Sequence, residues 1–441
     1  MKEDISLSIA RPSAGSPVQK LGISLVALAL LSAFIAVFGV VKQHPTLFFA
    51  LVFGLAAGGG IIYSLPYYFS LPGIKNNGIM HNPVINRGVI AWGIAILATS
   101  FYIILYWFPW LLEGLIHIMN PLSQMIRNRP ADQWFLYGAF YTLAVLVMGI
   151  RFIGKYRHSR YHIIRTLSVM FFQLGFAFLI PAFLIKLNQP EFYFSYFWPL
   201  KYSYLFPSDI KNLANSGNLG IFMVFWGAMM TFIATPILSY RFGKRWYCSW
   251  VCGCGGLAET LGDPFRHLSN KTAKAWKIEH LIIYSVLTFV IITTALLWLN
   301  SWKSGAILGG FSGIFAQAYG FFIGAIFSGV IGTGFYPLMG GRVWCRFGCP
   351  MAAILGIFQK FKSKFRITTN GAQCISCGNC STYCEMGIDV RAYAQKGENI
   401  IRASCVGCGV CASVCPRGVL KLENLSEKGK FESYKRNEDF H

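Results

Sequence analysis

Residues 374–387, "CISCGNCSTYCEMG", and residues 405–418, "CVGCGVCASVCPRG", repeat one pattern, Cys-x2-Cys-x2-Cys-x3-Cys. Three thiolates from a short glycine-containing loop suit three corners of an iron–sulfur cubane, and the fourth cysteine of such a run ligates the other cluster in two-cluster ferredoxins. That logic gives Cys374, Cys377, Cys380 and Cys415 to one [4Fe–4S] cluster. Cys405, Cys408, Cys411 and Cys384 go to the second. Paired C-x2-C spacings also build zinc sites, but two complete four-cysteine runs point to iron. One departure stands out: Glu385 follows the fourth cysteine of the first run, where Pro416 follows that of the second. It bears on turn shape, not ligation.

The rest of the chain is of another kind. Of 441 residues, 55% are hydrophobic and only 13% charged, and the mean hydropathy is +0.50. An ordinary soluble domain carries about 25% charged residues. Apolar runs near 21–41, 46–71, 88–112, 133–154, 163–185, 218–240, 278–299 and 311–338 each reach the ~20 residues a spanning helix needs. The expected fold is therefore an α-helical polytopic membrane protein of about eight helices, with a small α+β two-cluster ferredoxin-type domain at its C-terminus. The first run reads as a span, not a cleaved signal, because a polar leader of about 20 residues precedes it. The net charge of +22 does not imply nucleic acid, since no basic, aromatic-interleaved soluble module accompanies it.

Basic residues set the expected orientation. With the N-terminus inside, inner loops hold seventeen Lys and Arg, among them Arg151, Lys155, Arg165, Lys244 and Arg266. Outer loops hold seven, among them Arg127, Lys186 and Lys201. By the positive-inside rule both termini face the cytoplasm. The ferredoxin segment is then cytoplasmic, in a bacterial inner membrane, where disulfides are disfavoured.

Five more cysteines lie outside the two runs. Gly243-Lys-Arg-Trp-Tyr-Cys248-x3-Cys252 echoes Gly341-Arg-Val-Trp-Cys345-x3-Cys349, and each follows a span at its cytoplasmic end. A C-x3-C pair in one helical turn puts both sulfurs on one face. Buried thiols can serve as small hydrophobes, but the repeat favours a redox or metal role for Cys248, Cys252, Cys345 and Cys349. Cys254 has no counterpart in the second copy and is not counted as a ligand.

These segments, "YCSWVCGCGGLAE", "RVWCRFGCPMAAILGIFQKF" and the double cysteine run, resemble the NapH/MauN membrane ferredoxins. They are also similar to the C-terminal half of NosR and the core of CcoG/RdxA. The likeness covers about residues 218–422. It implies a helix bundle ending in C-x3-C-P motifs beside a cytoplasmic dicluster ferredoxin, with electron transfer linked to the quinol pool. The first motif departs from the pattern, with Gly253-Cys254 where the family has proline. No flavin-attachment motif like that of NosR and no Ig-like tail like that of CcoG is found. The expected domains are residues 1–217, five helices; 218–365, the duplicated core; 366–422, the dicluster domain; and 423–441, a disordered tail.

The first 217 residues carry no cysteine and read as a packing or docking scaffold. Glu113 and His117, one turn apart, could accept quinol protons, or simply end a helix in solvent. His158 and His162 lack the partners that haem ligation needs. The stretch "QPEFYFSYFWPLKYSYLFP" (189–207) reads as an aromatic belt at the outer membrane surface, with docking of quinone or a periplasmic partner as the alternative. Three functions remain open. The chain moves electrons between quinone or a respiratory partner and the clusters; or it reduces a metal held at the C-x3-C thiols, whose softness favours Cu(I) or iron–sulfur chemistry; or it is a relay subunit of a larger complex. An oxidoreductase component fits all three, with membrane lipid and a redox protein as partners.

Overall fold

The computed structural model describes residues 16–38, 44–69, 87–306, 309 and 311–424. The leader (1–15) lies outside the described residues. Of the tail expected to be disordered, 423–441, Glu423 and Asn424 instead belong to a paired strand, and 425–441 lie outside the described residues. Among the described residues, eight helices are long and apolar enough to cross a membrane. They are α1 (Pro17–Val37), α2 (Pro45–Phe69), α3 (Val89–Trp107), α4 (Gln133–Lys155), α5 (Arg160–Lys186), α6 (Asn218–Phe242), α7 (Ala273–Trp302) and α8 (Phe311–Gly334). A shorter helix, α9 (Pro350–Phe361), follows the second C-x3-C motif.

Local chemistry fixes the helix ends. Ser16 and Gln19 form a capping box before α1, Asp132 caps α4, and Thr272 caps α7. The third span was expected to run to residue 112, but Pro109 starts a separate turn and α3 stops at Trp107. Large apolar side chains face outward along the spans, such as Phe34, Phe225 and Leu281. A bilayer takes such surface out of water.

Consecutive helices alternate in direction. One end carries the C-terminal residues 365–424 and is called the dicluster end; the other is the far end. At the dicluster end, Phe365–Thr369 (β1) pairs antiparallel with Leu420–Asn424 (β2), and Ile367 also bridges to Ile400.

Three connecting segments do not stay at the ends. From the dicluster end, the chain after α6 turns back into the bundle. Ser168 Oγ donates to the Trp250 carbonyl at 2.9 Å, and Gly253 lies against Gln173 and Tyr196. Gln173 is about 20 Å along α5 at 1.5 Å per residue. The hairpin then returns, and Asp263 reaches Arg151 and Lys155 on the last turns of α4. The chain after α8 does the same. Trp344 and Gly348 pack against Gly332 and Phe327 of α8, and α9 leads back out.

The third segment enters from the far end. Trp226 Nε1 donates to the Phe194 carbonyl at 2.9 Å, and Thr231 Oγ1 donates to the Trp198 carbonyl at 3.2 Å. Tyr247 Oη, on the first hairpin, donates to the Ser195 carbonyl at 2.8 Å. Residues 189–207 are thus no surface belt. Phe192, Phe197 and Phe206 are buried, and Phe197 lies against Trp246 and Tyr247. The expectation failed because aromatic density marks an interface belt only where the backbone stays outside. Here π-helical turns at 172–179, 230–234 and 320–331 bring Gln173, Thr231 and Gly320 against the segment. Such wide turns recur at functional sites.

Candidate functional site

The two cysteine runs wrap two small cavities of matching size, about 20 Å³ each. One is lined by Cys374, Cys377, Cys380 and Cys415 with Ile375, Arg391 and Arg417. The other is lined by Cys384, Cys405, Cys408 and Cys411 with Glu385, Met386 and Val406. Each set takes three cysteines from one run and the last cysteine from the other. Gly378 and Gly409 hold equivalent places in the two runs, at φ +81° and +80°. A side chain there would be strained, and the left-handed turn lets the loop curl around the cavity.

The spacing of the sulfurs discriminates between metals. Around a tetrahedral zinc with bonds of 2.3 Å, sulfurs stand about 3.8 Å apart. Among the described residues, no three cysteine sulfurs lie within 4.8 Å of one another. The wider spacing suits a polynuclear centre. The group that does meet this distance is Glu259, Glu385 and Cys408, and its carboxylates already have guanidinium partners.

Cys248, Cys252, Cys345 and Cys349 are brought together at the tips of the two re-entrant hairpins. All four are buried in one core with Phe197, Tyr247, Tyr319 and Trp344. Burial pushes the Cys248 thiol up to about 12, so loading a metal there releases protons. Cys254 is half-buried. These thiols were expected on the cytoplasmic face of the membrane, beside the clusters. They do lie beside the second cavity, through Ser249 and Arg342, and they are buried in the bundle because both hairpins turn inward.

Gly255 permits this approach: a Cβ there would meet the Cys248 carbonyl carbon at 3.0 Å and Arg342 Nη1 at 3.1 Å. Gly255→Ala is expected to cost about 1–3 kcal/mol and to displace Cys248. Thermal unfolding of the purified protein, read with its metal content, checks this.

A buried ionic network joins the hairpins to the dicluster segment. Arg342, 1% exposed, donates to Cys345 Sγ at 3.7 Å, the Cys248 carbonyl at 3.1 Å, Glu385 Oε1 at 2.9 Å and Glu259 Oε1 at 2.6 Å. Arg266 bridges Glu385 at 2.7 Å, Glu259 at 3.0 Å and Asp263 at 2.9 Å. Arg165 reaches Glu259 at 2.5 Å. Ser249 and Lys244 add hydrogen bonds to the carbonyls of Val406 and Ala403, at 2.8 and 3.3 Å. The second cavity therefore abuts the membrane hairpins, while Ile375 on the first is 54% exposed.

Burial alone would raise these acids, but Glu259 is held well below the carboxylate range because three guanidiniums outweigh it. Burial is the larger influence on Glu385 and pushes it up to about 7, against the pull of Arg266 and Arg342. Burial also opposes ionisation of Asp263, yet Lys155, Arg266 and Arg151 hold it far down. A depressed acid stabilises the fold above its unfolded pKa, about 3.9, and loses that contribution as pH falls toward the folded value. Hence the stability contributed by Asp263 should stay level from neutral pH to about 4 and fade below it. Thermal unfolding against pH, compared with Asp263→Asn, measures this.

The remaining candidates fall away from the site. The His117 ring donates to the Glu113 carbonyl at 2.8 Å on the short helix Glu113–Ile118. His162 is buried, with Nε2 at 2.7 Å from Ser413 Oγ, and packs the bundle onto the dicluster segment. The residues missed in the sequence are Glu259, Asp263, Arg266 and Arg342. The available signal was scarcity, since the chain has only 17 acids.

Comparison with known proteins agrees with this geometry. Residues 366–416 match the family described as 4Fe-4S dicluster domain. Residues 223–272 and 319–368 each match the family described as 4Fe-4S binding domain. YccM of Escherichia coli (strain K12), a protein named for electron transport, is 27% identical over 187 residues, 37% of this chain and 47% of YccM. The chain thus spans about half the length of that relative. No solved structure matches.

Proposed function

We propose that this chain is a membrane-embedded iron–sulfur electron carrier. In this reading residues 366–422 hold two [4Fe–4S] clusters, and the paired hairpins hold a further thiol-ligated redox centre. The observation that carries it is the crossed lining of two cavities of matching size, each by four cysteines. Clusters bound there would supply one-electron couples. The chain's own residues do the rest. Cysteine sulfurs hold the iron, Gly378 and Gly409 shape the loops, and burial excludes water. Arg342 donates to Cys345 and, through Glu385, ties it to the second cavity. The resemblance of the hairpins to iron–sulfur-binding segments supports a cluster over Cu(I).

The dicluster end faces the cytoplasm in this reading, which rests on the bias of Lys and Arg toward that end. The quinone pool is the proposed exchange partner. Supporting it, a shallow groove on α7 is lined by His280, Tyr284, Ser285 and Thr288. His280 and Tyr284 also line a small neighbouring cavity that reaches Cys345. One ring nitrogen of His280 engages the Trp276 carbonyl at 3.0 Å, so the other is available to a quinol hydroxyl.

Anaerobic purification with iron counting tests the reading. About eight irons are expected from the dicluster and about twelve with a third cubane; fewer than about six would sink it. Adding a reduced quinol should then produce the EPR signal of reduced clusters, and a silent spectrum would remove the quinone pool as partner.

A further inference from the structure

The first hairpin reaches deeper into the bundle than a relay at one membrane face requires. Gly253, the residue after Cys252, stands against Gln173 at about 20 Å along α5. The hydrocarbon core of a bilayer is about 30 Å thick. From the opposite side, the segment 191–206 descends to the same level. Its Trp198 carbonyl takes a bond from Thr231, about 20 Å along α6 from its far-end start. The two meet directly, through Tyr247 with Ser195 and through Phe197 with Trp246 and Tyr247.

Unpartnered groups gather at this meeting point. Tyr319 Oη and Ser195 Oγ are buried with no hydrogen-bond partner, 1% and 5% exposed. Tyr319 belongs to the same core as the four thiols and packs against Tyr202 of the descending segment. A packed protein leaves few such hydroxyls without a partner unless a bound group engages them. Hydroxyls beside a cysteine set are suited to donate to the sulfurs of a bound cluster.

We infer that the Cys248, Cys252, Cys345 and Cys349 centre is an intramembrane relay through which electrons cross the bilayer, between the dicluster segment and a one-electron carrier at the far end. This rests on the reading of the four thiols as a redox centre. On the dicluster side the contact runs through Cys345, Arg342 and Glu385 beside Cys384. On the far side the aromatic segment fills the remaining thickness with packed protein, which shortens the path an electron must tunnel. Each transfer moves one electron and no atoms, oxidising the donor at one face and reducing the acceptor at the other. Charge builds across the membrane unless an ion moves in compensation.

The test uses the full chain reconstituted in vesicles, with ferricyanide trapped inside and reduced ferredoxin outside, in potassium buffer with valinomycin. Both reagents stay on their own side. The expected result is bleaching of the trapped ferricyanide, at least tenfold slower without valinomycin. The double variant Cys345→Ser, Cys349→Ser should lose bleaching at least tenfold and about four irons, while external ferredoxin still reduces the dicluster. Wild-type vesicles that keep their ferricyanide while the dicluster is reduced would overturn the inference and leave the proposed function standing. A wild-type iron content of only about eight would remove the third centre itself, and the inference with it.

Discussion

Glu385→Pro, which places after Cys384 the residue found after Cys415, should assemble both dicluster sites and yet uncouple them from the membrane. Glu385 is buried and holds Arg266 and Arg342 at once. Removing one partner of a buried pair leaves uncompensated charge and costs about 3–5 kcal/mol. Glu385 also lines the second cavity, but the eight cysteines are untouched, so the cost falls mainly on the docking surface. The expected outcome is full dicluster iron, normal reduction by dithionite, and quinol-driven reduction lowered at least tenfold. Glu385→Gln, which keeps the shape but not the charge, should fall between. Unchanged quinol-driven reduction in both variants would mean that the network is a passive filler.

The second large effect is a crossed loss of iron. Cys415→Ser should empty the site shared with Cys374, Cys377 and Cys380, although Cys415 belongs to the later run. Cys384→Ser should likewise empty the site of Cys405, Cys408 and Cys411. Each variant should lose about four irons and one of two EPR signals. The surviving signal distinguishes the cases. The site of Cys374 is exposed around Ile375, so its relaxation should respond to a water-soluble paramagnet. The other, set against the hairpins, should respond far less. If Cys415→Ser and Cys384→Ser spared the same signal, the crossed pairing would be wrong.

Much of this was legible in the sequence for simple reasons. Spanning helices announce themselves because lipid demands an unbroken apolar run. The dicluster cysteines do so because a cubane fixes the spacing of its ligands along the chain. The 97-residue echo of Cys248 and Cys252 in Cys345 and Cys349 was legible as a pair of pairs. What stayed hidden was depth. Whether a loop turns outward or back into the bundle depends on contacts distant in sequence, such as Tyr247 with Ser195 or Gln173 with Gly253. The ionic network was hidden for the same reason. Arg266, Arg342 and Lys155 read as ordinary loop cations until Glu259, Asp263 and Glu385 are seen against them.

The separation of the two hairpins along the chain has a consequence for biogenesis. Cys248 and Cys252 enter the membrane first and wait until the second pair arrives with Cys345 and Cys349. Until α7 and α8 have inserted, no four-thiol centre can exist, and the dicluster segment has not yet been synthesised. If the four thiols hold a metal as proposed, its delivery must follow the insertion of α8 and the arrival of Cys345 and Cys349. A chain arrested earlier would carry Cys248, Cys252 and Cys254 without the partners that complete the set.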